Sequence, residues 1–248
     1  MSSFLELLDR PTPLFAVGKT LLKLELLRPS GGAEDRALGL WQIAPPQAFV
    51  SATGGAALAA AAWARARGVR LQVDLRGPIT HEVREALRIW GVQEGRAGTE
   101  LEPLDGDLAV RQVQRTLGQE LLGQLAEAQV EKLQLLVAPA GARAALLGAA
   151  QALLQEHPGL RVLGLLAADE ELPELPREAE LPGVELLKVT RAECAQARSE
   201  VARELGLLAS HASAAAVVVA RRSGLRAIAL VTSTGEREFS LDAAPPAR

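Results

Sequence analysis

The residues able to do covalent or acid–base chemistry in this chain of 248 are few: the lysines Lys19, Lys23, Lys132 and Lys188, the histidines His81, His157 and His211, one cysteine, Cys194, and scattered serines, threonines and carboxylates. Asparagine and tyrosine are absent. A lysine amine is the group that forms imines with carbonyl compounds, and histidine or a tuned carboxylate is the usual proton carrier. The histidines show no His-x-x-x-His spacing for a metal, so no metal site is expected. Ser210-His211 stands outside any G-x-S-x-G turn, and Cys194 in a polar helical stretch reads as an incidental thiol. Neither G-x-x-x-x-G-K-[ST] nor G-x-G-x-x-G after a strand occurs, so nucleotide binding has no motif.

Short apolar runs alternate with longer stretches of helical period, which predicts an α/β protein with mainly parallel sheets. Leu21 to Leu27 alternates as a strand, the turn Pro29-Ser30-Gly31-Gly32 follows, and a helix is expected from Glu34. Gly54-Gly55 opens an Ala-rich helix ended by Gly68, and Val69 to Leu75 reads as a strand. Thr80 caps a helix to Trp90, and Asp107 caps one to about Gln129. Strands are expected at Leu133 to Ala138, Arg161 to Leu166 and Arg226 to Thr232, and helices at Ala142 to Glu156 and Ala212 to Arg222. Thr190 and Glu193 have the spacing of a capping box, with a helix to Leu205. The acidic, proline-rich Ala168 to Pro182 reads as an exposed loop, and the chain closes on AAPPAR. No internal repeat of 20 to 50 residues is present.

Composition narrows the classes. With 48% hydrophobic and 23% charged positions the chain buries a sizeable core. A net charge of -3 and 3% aromatics give no basic field or stacking platform, so no nucleic acid is expected as partner. A lone cysteine fits a reducing cytoplasm. The start MSSFLELLDRPTP carries early acids, and no apolar run reaches the roughly 18 residues of a membrane span, so neither export nor membrane insertion is expected. Arginine in place of lysine, with no asparagine, fits either thermophily or a biased genome.

Six segments in order resemble one family, the fold-type-II pyridoxal-phosphate enzymes of the cysteine synthase and threonine synthase-like group. RPTPL (10–14) is similar to its G-x-TPL, and KLELLRPSGGAEDRAL (23–38) to its K-x-E-x-x-N-P-T/G-G-S-x-K-D-R. SATGGAALAAAA (51–62) stands at its S-S/G-N-T/H-G loop, and LLVAPAGARAALLGAAQAL (135–153) at the strand leading to its phosphate loop G-x-G-G-T. LGLLASHASAAAVVVA (205–220) resembles E-G-x-x-x-x-x-S-S/A-G/A-A-x-x-A, and TSTGEREFS (232–240) its closing D-S-G-E-R-Y-L-S. The likeness covers nearly the whole chain.

The resemblance implies two three-layer α/β/α domains, the larger from residues 1–40 and 128–248, the smaller inserted at 41–127, with the site in the cleft between them. It also locates the cofactor-handling positions, and most are altered. The lysine of K-D-R, which would carry the imine, is Glu34. The asparagine position is Gly55, in the loop Thr53-Gly54-Gly55. The phosphate loop keeps only Gly141, with Arg143 inside it; Arg143 reads as a solvated arginine, or else as an anion contact. Ser213 matches the residue that meets the pyridine nitrogen and reads alternatively as a helix cap. Glu34 and Asp35 read as acids in the first turn of their own helix, favoured by its dipole. The expectation is therefore a pseudoenzyme with no cofactor, a homodimer that binds a partner protein or a small ligand. The alternatives are a pyridoxal-phosphate lyase or synthase, or an altered enzyme using Glu34 or His211 in the same cleft.

Overall fold

In the computed structural model, residues 4–77, 79–167 and 184–235 are described. The expected loop at 168–182, the stretch 236–240 of the last family-like segment and the AAPPAR tail lie outside the described residues. In chain order the elements are α1 (Phe4–Leu8), β1 (Leu14–Val17), β2 (Thr20–Leu24), two 3-10 segments (Glu25–Leu27 and Ala33–Leu40), β3 (Gln47–Ala52), α2 (Gly54–Arg67), β4 (Arg70–Leu75) and α3 (His81–Ile89). Then come the two-residue strands β5 (Gln93–Glu94) and β6 (Thr99–Glu100), α4 (Asp107–Val113), a π turn (Gln114–Gly118), α5 (Gln119–Glu127), β7 (Leu135–Pro139) and α6 (Arg143–Glu156). β8 (Arg161–Ala167), β9 (Val184–Val189), α7 (Arg191–Leu205), α8 (His211–Arg222) and β10 (Ala227–Val231) complete the described chain.

The protein is α/β with parallel sheets, as the alternation of patterns predicts. One sheet has the order β1-β2-β10-β7-β8-β9 and only its β1–β2 pair is antiparallel. The other, β5-β4-β3-β6, is parallel throughout. β7 and β10 are buried at every position, which is why they read as unbroken apolar runs rather than alternating ones. Their side chains still sort by a period of two. Leu136, Ala138, Ile228 and Leu230 join a core with Trp41, Trp63, Leu117 and Leu153, while Leu135, Val137, Ala227, Ala229 and Val231 join a second core with Ala214 and Val217 of α8. Trp41 and Trp63 meet edge to face, ring centres 5.0 Å apart.

Register decides where the site lies. Leu24 of β2 pairs with Val231 of β10, and Ala229 of β10 pairs with Val137 of β7, so these parallel strands release their chains at the same sheet edge. Ligands of open parallel sheets sit outside such carboxyl ends. Segment 25–35 leaves from β2, residues 140–142 from β7 and residues 232–235 from β10.

Several local expectations change. The strand predicted for 21–27 stops at Leu24 and turns into a 3-10 segment, because Glu25 and Leu26 bury against the core side rather than continuing the ladder. No α-helix begins at Glu34: Ala33–Leu40 is 3-10, tied down by Ala33 N–H to the carbonyl of Thr232 (2.9 Å) and Ser30 N–H to Asp35 Oδ2 (2.8 Å). The cap of α4 is Gly106, with Asp107 inside the first turn. The predicted long helix to Gln129 is divided by the π turn, which fits against α6 at Gly148; a methyl there would stand 2.8 Å from Gln114 N and 2.9 Å from Val110 O. Strands β1, β3, β5, β6 and β9 have no counterpart in the sequence reading.

Candidate functional site

The candidate positions lie at the starts of three helices, α2 after β3 of the smaller sheet and α6 and α8 beside the larger one, and in the segment that follows β2. α2 begins after Thr53, which makes no side-chain cap, and its first turn carries no acid. Ala56 to Ala61 are packed in the core on all sides, and the two glycines before them are half-buried, Gly54 beside Val83. Glu34 arrives from the 3-10 segment and fills that end. A methyl built on Gly55 would lie 2.8 Å from Glu34 Cδ and 3.3 Å from Oε2, and would overlap Oε1. Only a glycine admits the carboxylate so closely. Glu34 does stand in the first turn of its own segment, as the sequence reading has it, although that segment is 3-10, and its carboxylate also lies against Gly55 of α2, a helix that starts 20 positions later in the chain.

Segment 32–33 also binds the end of β10, through the bridge Gly32–Ser233 and Ala33 N–H to Thr232 O. Beyond it lies a knot of buried hydroxyls at the start of α8. Ser210 is the cap of that helix; its Oγ accepts from Ser213 N–H (3.3 Å), from Ser233 Oγ (2.8 Å), and donates to Ser213 Oγ (2.9 Å). Ser213 Oγ, fully buried, accepts from Thr232 N–H (3.1 Å) and lies 3.2 Å from Thr232 Oγ1. Ser213 is thus not the cap itself; it is the centre of a protein-bound hydroxyl network.

Gly141 is exposed in the turn after β7, and Arg143 begins α6. Arg143 is not a solvated surface residue, since only 7% of it is exposed. It donates from Nη1 to Asp105 O and from Nη2 to Asp107 Oδ1, each 2.7 Å. Those partners belong to the start of α4, so the cation is spent on a neighbouring helix.

The lysines stand elsewhere. Lys19, Lys132 and Lys188 are exposed, whereas Lys23 is fully buried. Its ammonium donates to Thr12 O (2.7 Å), Gln124 Oε1 (2.7 Å) and Glu120 Oε1, three acceptors for three protons. Burial draws its pKa below the ordinary lysine value, and the hydrogen bond to Glu120 opposes that pull. Arg36 completes the cluster: Nε and Nη2 each reach Glu25 at 2.8 Å, and Nη1 reaches Glu120 Oε2 at 2.6 Å. Sequence reasoning missed this network. Lys23, Glu25 and Arg36 lie inside the K-x-E…D-R segment, but nothing near Glu120 marks it as their partner.

Thr53, Gly54, Gly55 and Glu34 are therefore brought together, Ser213 is linked to them through Thr232 and Ala33, and Arg143 turns away. None of these residues lines the cavity of about 450 Å³ walled by Arg36, Trp41, Trp63, Gln112, Thr116 and Glu120. Among the described residues no group of three or more His, Cys, Asp or Glu could hold a metal ion, and no described helix is long and apolar enough to cross a membrane.

Comparison with solved structures places this architecture. A lysine-to-alanine variant of O-ureido-L-serine synthase with O-ureido-L-serine bound superposes with a TM-score of 0.78 at 20% identity, covering 100% of this chain and 96% of that one. The O-acetylserine-dependent cystathionine beta-synthase of Helicobacter pylori gives 0.78 at 19% identity, covering 97% of each. O-ureido-L-serine synthase itself gives 0.77 at 20% identity. No protein-family model and no curated protein matches the sequence. The chain has the fold-type-II architecture of the cysteine synthase-like pyridoxal-phosphate enzymes over its full length.

That likeness overturns one expectation. The sequence reading has no cofactor, whereas the structural neighbours are pyridoxal-phosphate enzymes, which makes that cofactor a plausible ligand of this fold. The residues present do not fit its covalent attachment. Glu34 has no amine, and the three protons of Lys23 are held by Thr12, Glu120 and Gln124.

Proposed function

We propose that this chain is a fold-type-II protein that forms no imine of its own and works by holding a small ligand or a partner protein, a pseudoenzyme on a synthase scaffold. One observation carries the reading: at the position of the imine lysine stands Glu34, with its carboxylate against Gly55. An imine requires a neutral amine nucleophile, which a carboxylate cannot supply. The reading takes with it the division into 1–40 plus 128–248 and 41–127, a homodimer, and a cytoplasmic setting supported by the single buried cysteine.

The test is to add pyridoxal phosphate to the purified protein, record the visible aldimine absorbance, and treat with borohydride before mass spectrometry. No aldimine band and no reduced lysine adduct are expected. A borohydride-fixed adduct on any lysine overturns the reading. A second reading, a lyase or synthase or an enzyme with altered chemistry through Glu34 or His211, is favoured by the full-length likeness to two synthases. It predicts turnover of an O-activated serine by a thiol or similar nucleophile, which the first reading excludes.

A further inference from the structure

We infer that the cavity walled by Arg36, Glu120, Trp41 and Trp63 is a binding site for a small, neutral, planar heterocycle that carries an N–H beside a C=O, the lactam edge of a nucleobase or a pyridone. Its volume of about 450 Å³ falls in the range of roughly 300–1,000 Å³ that small-molecule sites occupy. Neither Glu34 nor Gly55, Arg143 or Ser213 lines it, so the site is separate from the one on which the proposed function rests. The walls set the chemistry. Arg36 has five N–H groups. Nε and Nη2 donate to Glu25, Nη2 donates also to Thr12 Oγ1 (3.2 Å), and Nη1 donates to Glu120 Oε2, which leaves one N–H on Nη1 with no partner among the described residues. Glu120 Oε1 accepts from Thr12 N–H and from Lys23. Among the described residues its Oε2 accepts from Arg36 alone, because Arg28 Nη2, at 3.7 Å, is too far for a hydrogen bond. A donor and an acceptor, each with capacity to spare, thus stand 2.6 Å apart on one wall, and a cis-amide edge answers both at once.

Charge selects a neutral ligand. The walls set Asp9, Asp35 and Glu120 against Arg36 and Arg67, one negative charge in excess, and the buried trio behind them, Lys23, Arg28 and Glu25, carries one positive, so no net field favours an ion. The buried pair Trp41 and Trp63 supplies apolar ring surface for a planar body. Gln112, half-buried on the same cavity, has a side-chain amide that makes no hydrogen bond among the described residues and adds a second donor and acceptor.

The experiment titrates the full chain with uracil and, in parallel, with its N,N-dimethyl derivative, the same ring without N–H groups, while NMR follows the indole N–H resonances of the three tryptophans. Expected is a saturable shift at Trp41 and Trp63 with uracil, none at Trp90, which lines other cavities, and an affinity at least about tenfold weaker for the dimethyl compound. Thr116→Phe fills the cavity from one wall and should abolish the uracil response, while Thr116→Val, nearly the size of threonine, should keep it. Equal affinity for the two compounds, no saturable response in wild type, a response confined to Trp90, or unchanged uracil binding in a folded Thr116→Phe chain overturns the inference. A borohydride-fixed adduct with pyridoxal phosphate would overturn the proposed function and leave this result standing.

Discussion

Replacing Gly55 by alanine adds one methyl group at the point where Glu34 meets α2. The nearest carboxylate atoms would stand 2.8 Å (Cδ) and 3.3 Å (Oε2) from it, with Oε1 closer, and the group that yields is the free end of a glutamate rather than backbone. Two effects then oppose each other. Alanine within a helix is worth about 0.5–1 kcal/mol over glycine. Displacing a carboxylate from a helix start costs about 0.3–1 kcal/mol, and up to ~2 kcal/mol where it is partly buried. In the wild-type background the net change falls between roughly 0.7 kcal/mol of stabilisation and roughly 1.5 kcal/mol of loss. In a Glu34→Ala background only the alanine gain of about 0.5–1 kcal/mol remains. Urea unfolding of the four chains closes the cycle, provided the m-values agree. The coupling should be about 0.3–2 kcal/mol, and it isolates the carboxylate from helix propensity, which is common to both backgrounds. If Gly55→Ala stabilises both backgrounds equally, Glu34 contributes nothing at this helix start and the reasoning fails.

The buried network gives a larger effect. Lys23→Met removes one cation from Glu120 and Gln124 and should cost about 3 kcal/mol, the low end for breaking a buried ion pair, because Arg36 still holds Glu120; a loss below about 1 kcal/mol in urea would mean the ammonium is not needed there. At α7 the effect is one of pH. Thr190 N–H donates to Glu193 Oε2 at 2.7 Å and holds that carboxyl below its ordinary 4.5. A carboxyl depressed on folding stabilises fully above the unfolded value and loses its contribution as pH falls through the folded one. Amide protection factors at the start of α7, taken against the intrinsic rate at each pH, should therefore fall below pH 4.5 in wild type, and Glu193→Gln should flatten that dependence.

What the sequence reveals of the fold follows from where the information is local. Gly68, left-handed at φ 69°, closes α2 where expected, and the reciprocal Thr190–Glu193 cap opens α7. β7 and β10 announce themselves because both faces of a central parallel strand are covered. β1 is hidden because it is an edge strand with two exposed central residues, and β5 and β6 because two residues carry no period. β3 does alternate buried and half-buried positions, but its buried side is the small Ala48, Val50 and Ala52 while Phe49 stands among the half-buried ones, which blurs the alternation in the sequence. At the site, the family-like positions are legible by spacing, while what their side chains do is not. Arg143 looks like a surface residue until Asp105 and Asp107 are folded against it, and Glu120 joins Lys23 across 97 positions of chain.

Compositional bias does not account for the residue at position 34. Of 27 basic residues other than histidine only four are lysines, so drift away from lysine is general in this chain. A bias of that kind favours arginine over lysine and keeps the charge. Position 34 instead carries the opposite charge, and Gly55, against which its carboxylate lies, has no side chain to block it. Meanwhile Lys23 survives where three acceptors are set for an ammonium's three protons, a geometry that a planar guanidinium would not satisfy. A lysine stands where three acceptors hold its protons and a carboxylate stands at position 34 against a residue with no side chain, so the packing around each matches the residue present.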